Sequence, residues 1–400
     1  MKIAGVVAEY NPFHNGHRYH LQQTRELGAT HIVAVMGGNF LQRGAPALCE
    51  KHWRAKAALQ GGADLVLELP LPYACATAER FAYGAVAVLN GLGVVDELSF
   101  GSECGKVEGL IAVAQALDTP QIEAELRRQL EKGITFAAAR QQAVKLCCGT
   151  EAAGLLQSPN NILGIEYVRQ LLRQKSSIRP VTVARAGAGH DSQSPEPQTG
   201  FASASWVRSQ LDKGQWEQAA DFLPQSTEQM LQEAQAAGEW ADAALLERPL
   251  LGCLRAMSAE EIARLPDVSE GLEYRIAAAA KTAATIGELL GSVKTKRYTH
   301  ARLRRILLCA WLGLDAGLCR MPPPYLRILG FNSRGAEVLS AAKGRATLPL
   351  SHSLAELQRT GQEASVFAAL EAASTDRYHL ITPKVLPCGL DYTLPVVKLL

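Results

Sequence analysis

Four hundred residues exceed what one small core organises, so two domains are the default expectation. A hydrophobic content of 48% with 20% charged residues excludes a disordered or fibrous chain. The net charge of +2 neither requires nor excludes a nucleic-acid partner, because a local basic face fits inside a balanced total.

The chain opens on "KIAGVVAE" (2–9), an apolar run too short for a signal peptide. Three further apolar runs follow, "THIVAVMGG" (30–38), "ADLVLELP" (63–70) and "VVDELSF" (94–100). Helical spacing fills the intervals at 15–27, 49–61 and 77–91, the last with Phe81, Ala85, Val88 and Leu89 on one face. Short apolar strands alternating with helices predict βαβ units and a parallel sheet covered on both faces. After Gly101 helices are expected at 106–118, 120–132, 136–146 and 158–172, the last starting near Pro159. "RPVTVARAG" (179–187) restores a strand, and the Gly-, Ser- and Pro-rich stretch 187–205 reads as a loop. From about 215 the spacing is almost wholly helical, with a mixed final part from "PPYLRILGFN" onward. The expected organisation is an α/β domain over 1–215 with a Rossmann-like parallel sheet, then a mainly helical domain over 216–400. Nine irregularly spaced cysteines without a CxxC pair suggest reduced thiols rather than a disulfide framework or zinc site. No window reaches the ~18 apolar residues of a membrane span, so the cytoplasm is the expected compartment and no membrane partner is expected.

The first strand hands over to the first helix through "NPFHNGH", which places His14, Gly16 and His17 at a strand's carboxyl end. Ligands of open parallel sheets bind at such ends, and a helix N-terminus offers free N–H groups to an anion. Two imidazoles on that turn add donors, so the constellation reads as a phosphate site rather than a metal site. A helix cap with two solvent-facing histidines is the bland alternative.

HNGH at 14–17 resembles the HxGH signature of the nucleotidyltransferase superfamily, related to class I aminoacyl-tRNA synthetases, and "SASWVR" (203–208) resembles its late Ser-rich element. The segments "GVVAEYNPFHNGHRYHL", "VMGGNFLQRGAPAL", "ADLVLELPLPYA", "LSFGSE", "SPNNILGIEY", "VARAGAGHD" and "SEGLEYRI" are similar to the bacterial tRNA(Met) cytidine acetate ligase family. The likeness is strong over residues 1 to about 210 and looser beyond. It implies an ATP-dependent ligase that forms acetyl-adenylate and pyrophosphate from acetate, then acetylates N4 of the wobble cytidine of elongator tRNA(Met). Oligomeric state is left open.

The resemblance assigns His14 and His17 to stabilising the α-phosphate as pyrophosphate leaves. It wraps ATP in Val7, Ala8, Glu9, Tyr10, Asn11, Pro12, Phe13, His14, Asn15, Gly16, His17, Arg18, Tyr19 and His20. It adds Gly101, Asn160, Asn161, Arg185, Ser203, Ser205 and Arg208. Several have simpler readings beside this one: Asn160, Asn161 and Ser203 as helix caps, Gly101 as a turn, Arg185 as a surface ion pair. Mg²⁺ bridging the phosphates accompanies such a nucleotide, although no carboxylate constellation marks a protein-held ion. Asn39, Gln42 and Arg43 are candidates for either an acetate pocket or the cytosine. The run "KTKRYTHARLRR" supplies Lys294, Lys296, Arg297, Arg302, Arg304 and Arg305 as candidate tRNA contacts, with Tyr298 and His300 between them. Arg43, Lys51, Arg54 and Lys56 are further candidates near the crevice. Ala45 stands where the family turn "GNFxQRGEPA" carries an acidic residue. Two other readings remain from the residues alone: an adenylyltransferase acting on a small phosphorylated cofactor precursor, and a non-catalytic RNA-binding factor.

Overall fold

The computed structural model describes residues 1–185, 200–295 and 298–400. Ten strands are described: β1 (Ile3–Ala8), β2 (His31–Gly37), β3 (Phe40–Leu41), β4 (Ala45–Pro46) and β5 (Leu65–Leu69), then β6 (Glu97–Ser102), β7 (Arg179–Ala184), β8 (Leu326–Asn332), β9 (Leu350–Ser351) and β10 (Val397–Leu399). The main sheet runs β10-β8-β5-β2-β1-β6-β7, with β9 on the side of β8, and β3 pairs β4 in a separate small hairpin. Every pairing in the main sheet is parallel except β5 with β8.

The alternation of side chains along the central strands sorts them into two cores. Val33, Val35, Leu65, Leu67 and Leu69 pack beneath helices Ala78–Leu92, Val107–Leu117 and Pro159–Arg173. Val6, Ile32, Ala34, Met36 and Val66 face helices Asn15–Glu26, Lys51–Gln60, Ala204–Asp212 and Gln225–Ala236. Every residue of β2 and β5 is buried, which is why both are apolar apart from His31 and Glu68. A third core joins helices Ala243–Ala256, Leu272–Thr282, Ile286–Val293 and His300–Leu312, and reaches the sheet domain through Phe40, Leu71, Cys75, Tyr378 and Ile381.

The division expected at residue 215 needs correcting. After the helical part the chain returns to the sheet, where β8 lies antiparallel to β5 and β10 parallel to β8. The helices are thus carried between β7 and β8 of one sheet. The segment LRILGFN pairs with a strand more than 250 residues earlier as well as with β9 and β10 further along, so its place in the main sheet rests on a distant partner. All nine cysteines are free thiols. Among the described residues no helix is long and apolar enough to cross a membrane.

Candidate active site

The chain leaves β1 towards β2 and β5 on one side, and later adds β6 and β7 on the other. This makes the β1/β6 boundary the topological switch point, with its crevice at the strands' carboxyl ends. A cavity of about 250 Å³ opens there.

The turn after β1 is held from below. Arg54 is fully buried, and its guanidinium donates to the carbonyls of Glu9 (2.7 Å), Gly37 (3.0 Å), Cys49 (3.0 Å) and Gly38. It therefore ties together the carboxyl ends of β1 and β2, and is not available to a nucleic acid. Phe13 fills the space beneath Gly61, where a Cβ would lie 2.1 Å from the ring. Asn11 accepts from Leu48 N–H at 2.7 Å through its side chain and from Arg208 at 2.5 Å through its carbonyl.

His14 caps helix Asn15–Glu26. Its Nδ1 accepts from Gly16 N–H at 3.0 Å, and the Nδ1 of His17 accepts from His14 N–H at 3.3 Å. These bonds occupy Nδ1 on both rings, so in the neutral form each carries its proton on Nε2. The rings stack with centroids 3.8 Å apart. Burial pushes the His17 pKa well below its usual value, helped by His14, His20 and Arg185. His20, whose Nε2 meets Ser99 Oγ at 3.1 Å, is lowered to about 4 by burial and by Arg185. Helix cap and donor array are therefore one structure, and the two readings of the motif are compatible.

A pH dependence follows from these shifts. Below the ordinary histidine value of 6.5 the unfolded chain binds more protons than the folded one, so stability is complete above that pH and falls as pH drops towards 4. Both rings border an open cavity where solvent relieves part of the burial cost. The expected loss between pH 7 and pH 5 is therefore about 1 kcal/mol per ring. Urea unfolding at the two pH values measures it, with His20→Gln as the variant that removes one share.

Across the cavity, Ser203 caps helix Ala204–Asp212 through Trp206 N–H at 3.1 Å and meets Ser205 Oγ at 3.1 Å. Arg185 continues the β6–β7 pairing through Ser102 O at 3.0 Å. It runs beside Gly101, where a Cβ would sit in ordinary contact at 3.4 Å from Arg185 Cγ, so this packing does not itself require the glycine. Glu103 caps helix Pro159–Arg173, accepting from Asn160 Nδ2 at 2.7 Å and from Asn161 N–H at 2.8 Å. Burial raises its pKa, but the Asn160 and backbone hydrogen bonds outweigh this and hold it below the usual carboxylate range.

Of the expected nucleotide stretch, residues 7–11, His14, Gly16, His17, Tyr19 and His20 line the cavity, together with Gly101, Asn160, Arg185, Ser203, Ser205 and Arg208. Pro12 and Phe13 are buried beneath it, Arg18 is exposed, and Asn15 ties the helix start to Gly200 O and Asp221 O. Asn161 faces away, its Oδ1 accepting from the N–H groups of Glu103 (3.0 Å) and Cys104 (3.2 Å). Gln42 and Arg43 line the cavity, whereas Asn39 is buried with its oxygen on Lys51 N–H and its amide nitrogen on Thr375. Sequence reasoning missed the apolar wall of Phe81, Phe100, Leu163 and Tyr167. The helical spacing at Phe81 and the "NNILGIEY" segment contained the signal, but it reads as ordinary core. Ala45 lies in the small β3–β4 hairpin, paired with Leu41.

The basic run divides. Lys294, His300 and Arg304 are exposed. Arg302 instead donates to Asp267 O at 3.0 and 2.7 Å and to Ser269 Oγ, and Arg305 reaches the Asp267 carboxylate at 3.4 Å. Lys296 and Arg297 lie outside the described residues. Lys51 is buried on Glu68 and Asp391, and Lys56 pairs with Glu233 at 3.2 Å. Gly44, at φ +73, packs so closely that a Cβ would lie 2.5 Å from Arg305 N, which seats the 42–44 loop on helix His300–Leu312. Among the described residues no group of three or more His, Cys, Asp or Glu could hold a metal ion.

The family model described as HIGH Nucleotidyl Transferase matches residues 1–389. The tRNA(Met) cytidine acetate ligase of Caldanaerobacter subterraneus subsp. tengcongensis is 38% identical over 405 residues, covering 100% of both chains. That of Acetivibrio thermocellus is 39% identical over 416 residues, covering 99% of this chain and 100% of its own. The apo crystal structure of Thermotoga maritima TmcAL superposes with a TM-score of 0.95 at 35% identity, covering 100% of both chains. The structure of that protein bound with alpha-thio ATP gives 0.92 at 34% identity, covering 100% of this chain and 99% of the other. Sheet order, switch-point cavity and whole-length similarity agree, and the chain belongs to the HIGH Nucleotidyl Transferase family.

Proposed function

We propose that this protein activates acetate with ATP, forming acetyl-adenylate and pyrophosphate, and then acetylates N4 of the wobble cytidine of elongator tRNA(Met). The observation that carries this reading is the convergence of the two-imidazole helix start and the Ser203/Ser205/Arg208 helix start on one switch-point cavity. Relatives named for that activity match over the whole chain.

Charge builds on the α-phosphate and on the departing pyrophosphate as acetate attacks. Donors fixed in place before that charge develops lower the barrier more than they tighten substrate binding. The Nε2–H groups of His14 and His17 fill this role, and the second helix start with its serines and Arg208 receives the outgoing phosphates. Mg²⁺ enters with the nucleotide as part of the substrate. Gln42 and Arg43 remain as candidates for holding acetate or cytosine, and Asn39 leaves that set because its polar atoms are engaged in the core.

The tRNA approaches over Lys294, His300 and Arg304, on the helix that seats the 42–44 loop at the cavity rim. This work belongs in the cytoplasm, where tRNA is found. Replacing Lys294 and Arg304 by alanine is expected to weaken tRNA binding and to flatten its log–log salt dependence, by about one for each phosphate left without its cation. Filter binding across a salt series reads this, and a slope equal to that of the unaltered protein rules the patch out as a tRNA surface.

The test of the whole reading is incubation with ATP, labelled acetate and unmodified tRNA. Label in N4-acetylcytidine of elongator tRNA(Met) supports it. AMP attached to a small phosphorylated molecule, without tRNA, would instead favour an adenylyltransferase.

A further inference from the structure

The cavity carries one group that phosphate chemistry does not explain. Among the described residues, its titratable lining is histidine, arginine and tyrosine except for Glu9, the residue just past β1. A carboxylate beside a triphosphate is repelled by it, so its natural ligand is a hydrogen-bond donor. Acetate has no such donor, whereas the amine that must receive the acetyl group has two N–H bonds.

The placement of Glu9 points the same way. Its Oε1 accepts from Gln42 N–H at 2.9 Å, and Gln42 O in turn accepts from Arg305 at 3.5 Å. The carboxylate is thereby registered through the 42–44 loop to helix His300–Leu312, the element expected to meet the RNA. The Tyr167 hydroxyl, which belongs to another wall residue of the cavity, is buried without a hydrogen-bond partner and feels the field of Glu9.

We infer that Glu9 is the catalytic proton acceptor of the acyl-transfer step, taking a proton from the cytidine N4 amine. This rests on the ligase reading proposed above. The N4 lone pair forms a bond to the acetyl carbonyl carbon, and the bond from that carbon to the phosphate oxygen breaks with its electron pair leaving on AMP. The amine proton passes to the Glu9 carboxylate and from there to water. Uridine presents a carbonyl at the same position, so the carboxylate also disfavours the wrong pyrimidine.

The test separates the two half-reactions in Glu9→Gln, which keeps an oxygen for Gln42 N–H but cannot take up the proton. Single-turnover acetyl transfer to an elongator tRNA(Met) transcript is expected to fall at least 100-fold, the lower range for a lost general base. Acetate-dependent ATP–pyrophosphate exchange falls as well, since Glu9 lines the nucleotide cavity, but at least tenfold less than transfer. Glu9→Asp, which keeps a carboxylate, recovers part of the transfer rate. Parallel loss of exchange and transfer, or transfer at the unaltered rate, overturns the inference. Failure of the unaltered protein to acetylate the transcript overturns the ligase reading, and this inference with it.

Discussion

Replacing His14 by asparagine is expected to slow acetyl-adenylate formation 100- to 1,000-fold while leaving folding stability within about 1 kcal/mol. Asparagine is among the best N-cap residues, so the bond to Gly16 N–H has a replacement acceptor. It cannot replace the Nε2–H donor, and losing one oxyanion donor from a preorganised site costs roughly 3–4 kcal/mol of transition-state stabilisation. His14→Ala loses cap and donor together, and should be about 1 kcal/mol less stable than the asparagine variant. Pyrophosphate exchange and urea unfolding, measured on both variants, keep the two roles apart. An asparagine variant with full exchange activity would reduce His14 to a cap.

The largest expected effect on stability lies away from the cavity, at Asp391. Its carboxylate accepts from Lys51 at 2.8 Å and from Arg327 at 2.8 and 2.9 Å, while Glu68 accepts from the same two cations at 2.7 and 3.1 Å. None of the four is more than 2% exposed. Burial opposes the Asp391 charge, but Lys51 and Arg327 hold its pKa far below the usual carboxylate range. The adjacent Glu371 is pushed upwards by burial and by Glu68, so it tends to keep its proton and leave two cations facing two anions. Asp391→Ala leaves both cations buried with Glu68 alone, and breaking such a network costs about 3–5 kcal/mol. Because Asp391 belongs to the C-terminal segment, the same change loosens the return of β8 and β10 to the sheet. A loss under 1 kcal/mol in urea unfolding would contradict this account of the join.

What was legible in the sequence was local. The HNGH turn shows itself because strand end, glycine and histidines lie within a few residues and their geometry follows from that spacing. SASWVR is equally compact, a helix start whose serine caps the turn it belongs to. The neighbouring placement of the first and fourth apolar runs, observed as β1 and β6, follows from family pattern and sheet rules. What escaped depends on partners far along the chain. Lys51 and Arg54 sit in "KHWRAKAAL", a helical stretch that offers its cations as candidate contacts near the crevice. One is instead neutralised by a residue 340 positions later, and the other is consumed by main-chain carbonyls. Arg302 and Arg305 look like RNA contacts until the 267–269 segment folds against them. A count of positive charges along a segment does not distinguish a cation facing solvent from one already spent on its own fold.

The central claim is that the switch-point cavity makes acetyl-adenylate. Its most direct test is pyrophosphate exchange into ATP by the purified protein, with and without acetate, in the absence of tRNA. Exchange that requires acetate, and acetyl transfer when elongator tRNA(Met) is then added, is the predicted result. Exchange that ignores acetate, or that requires a phosphorylated small molecule instead, would contradict it.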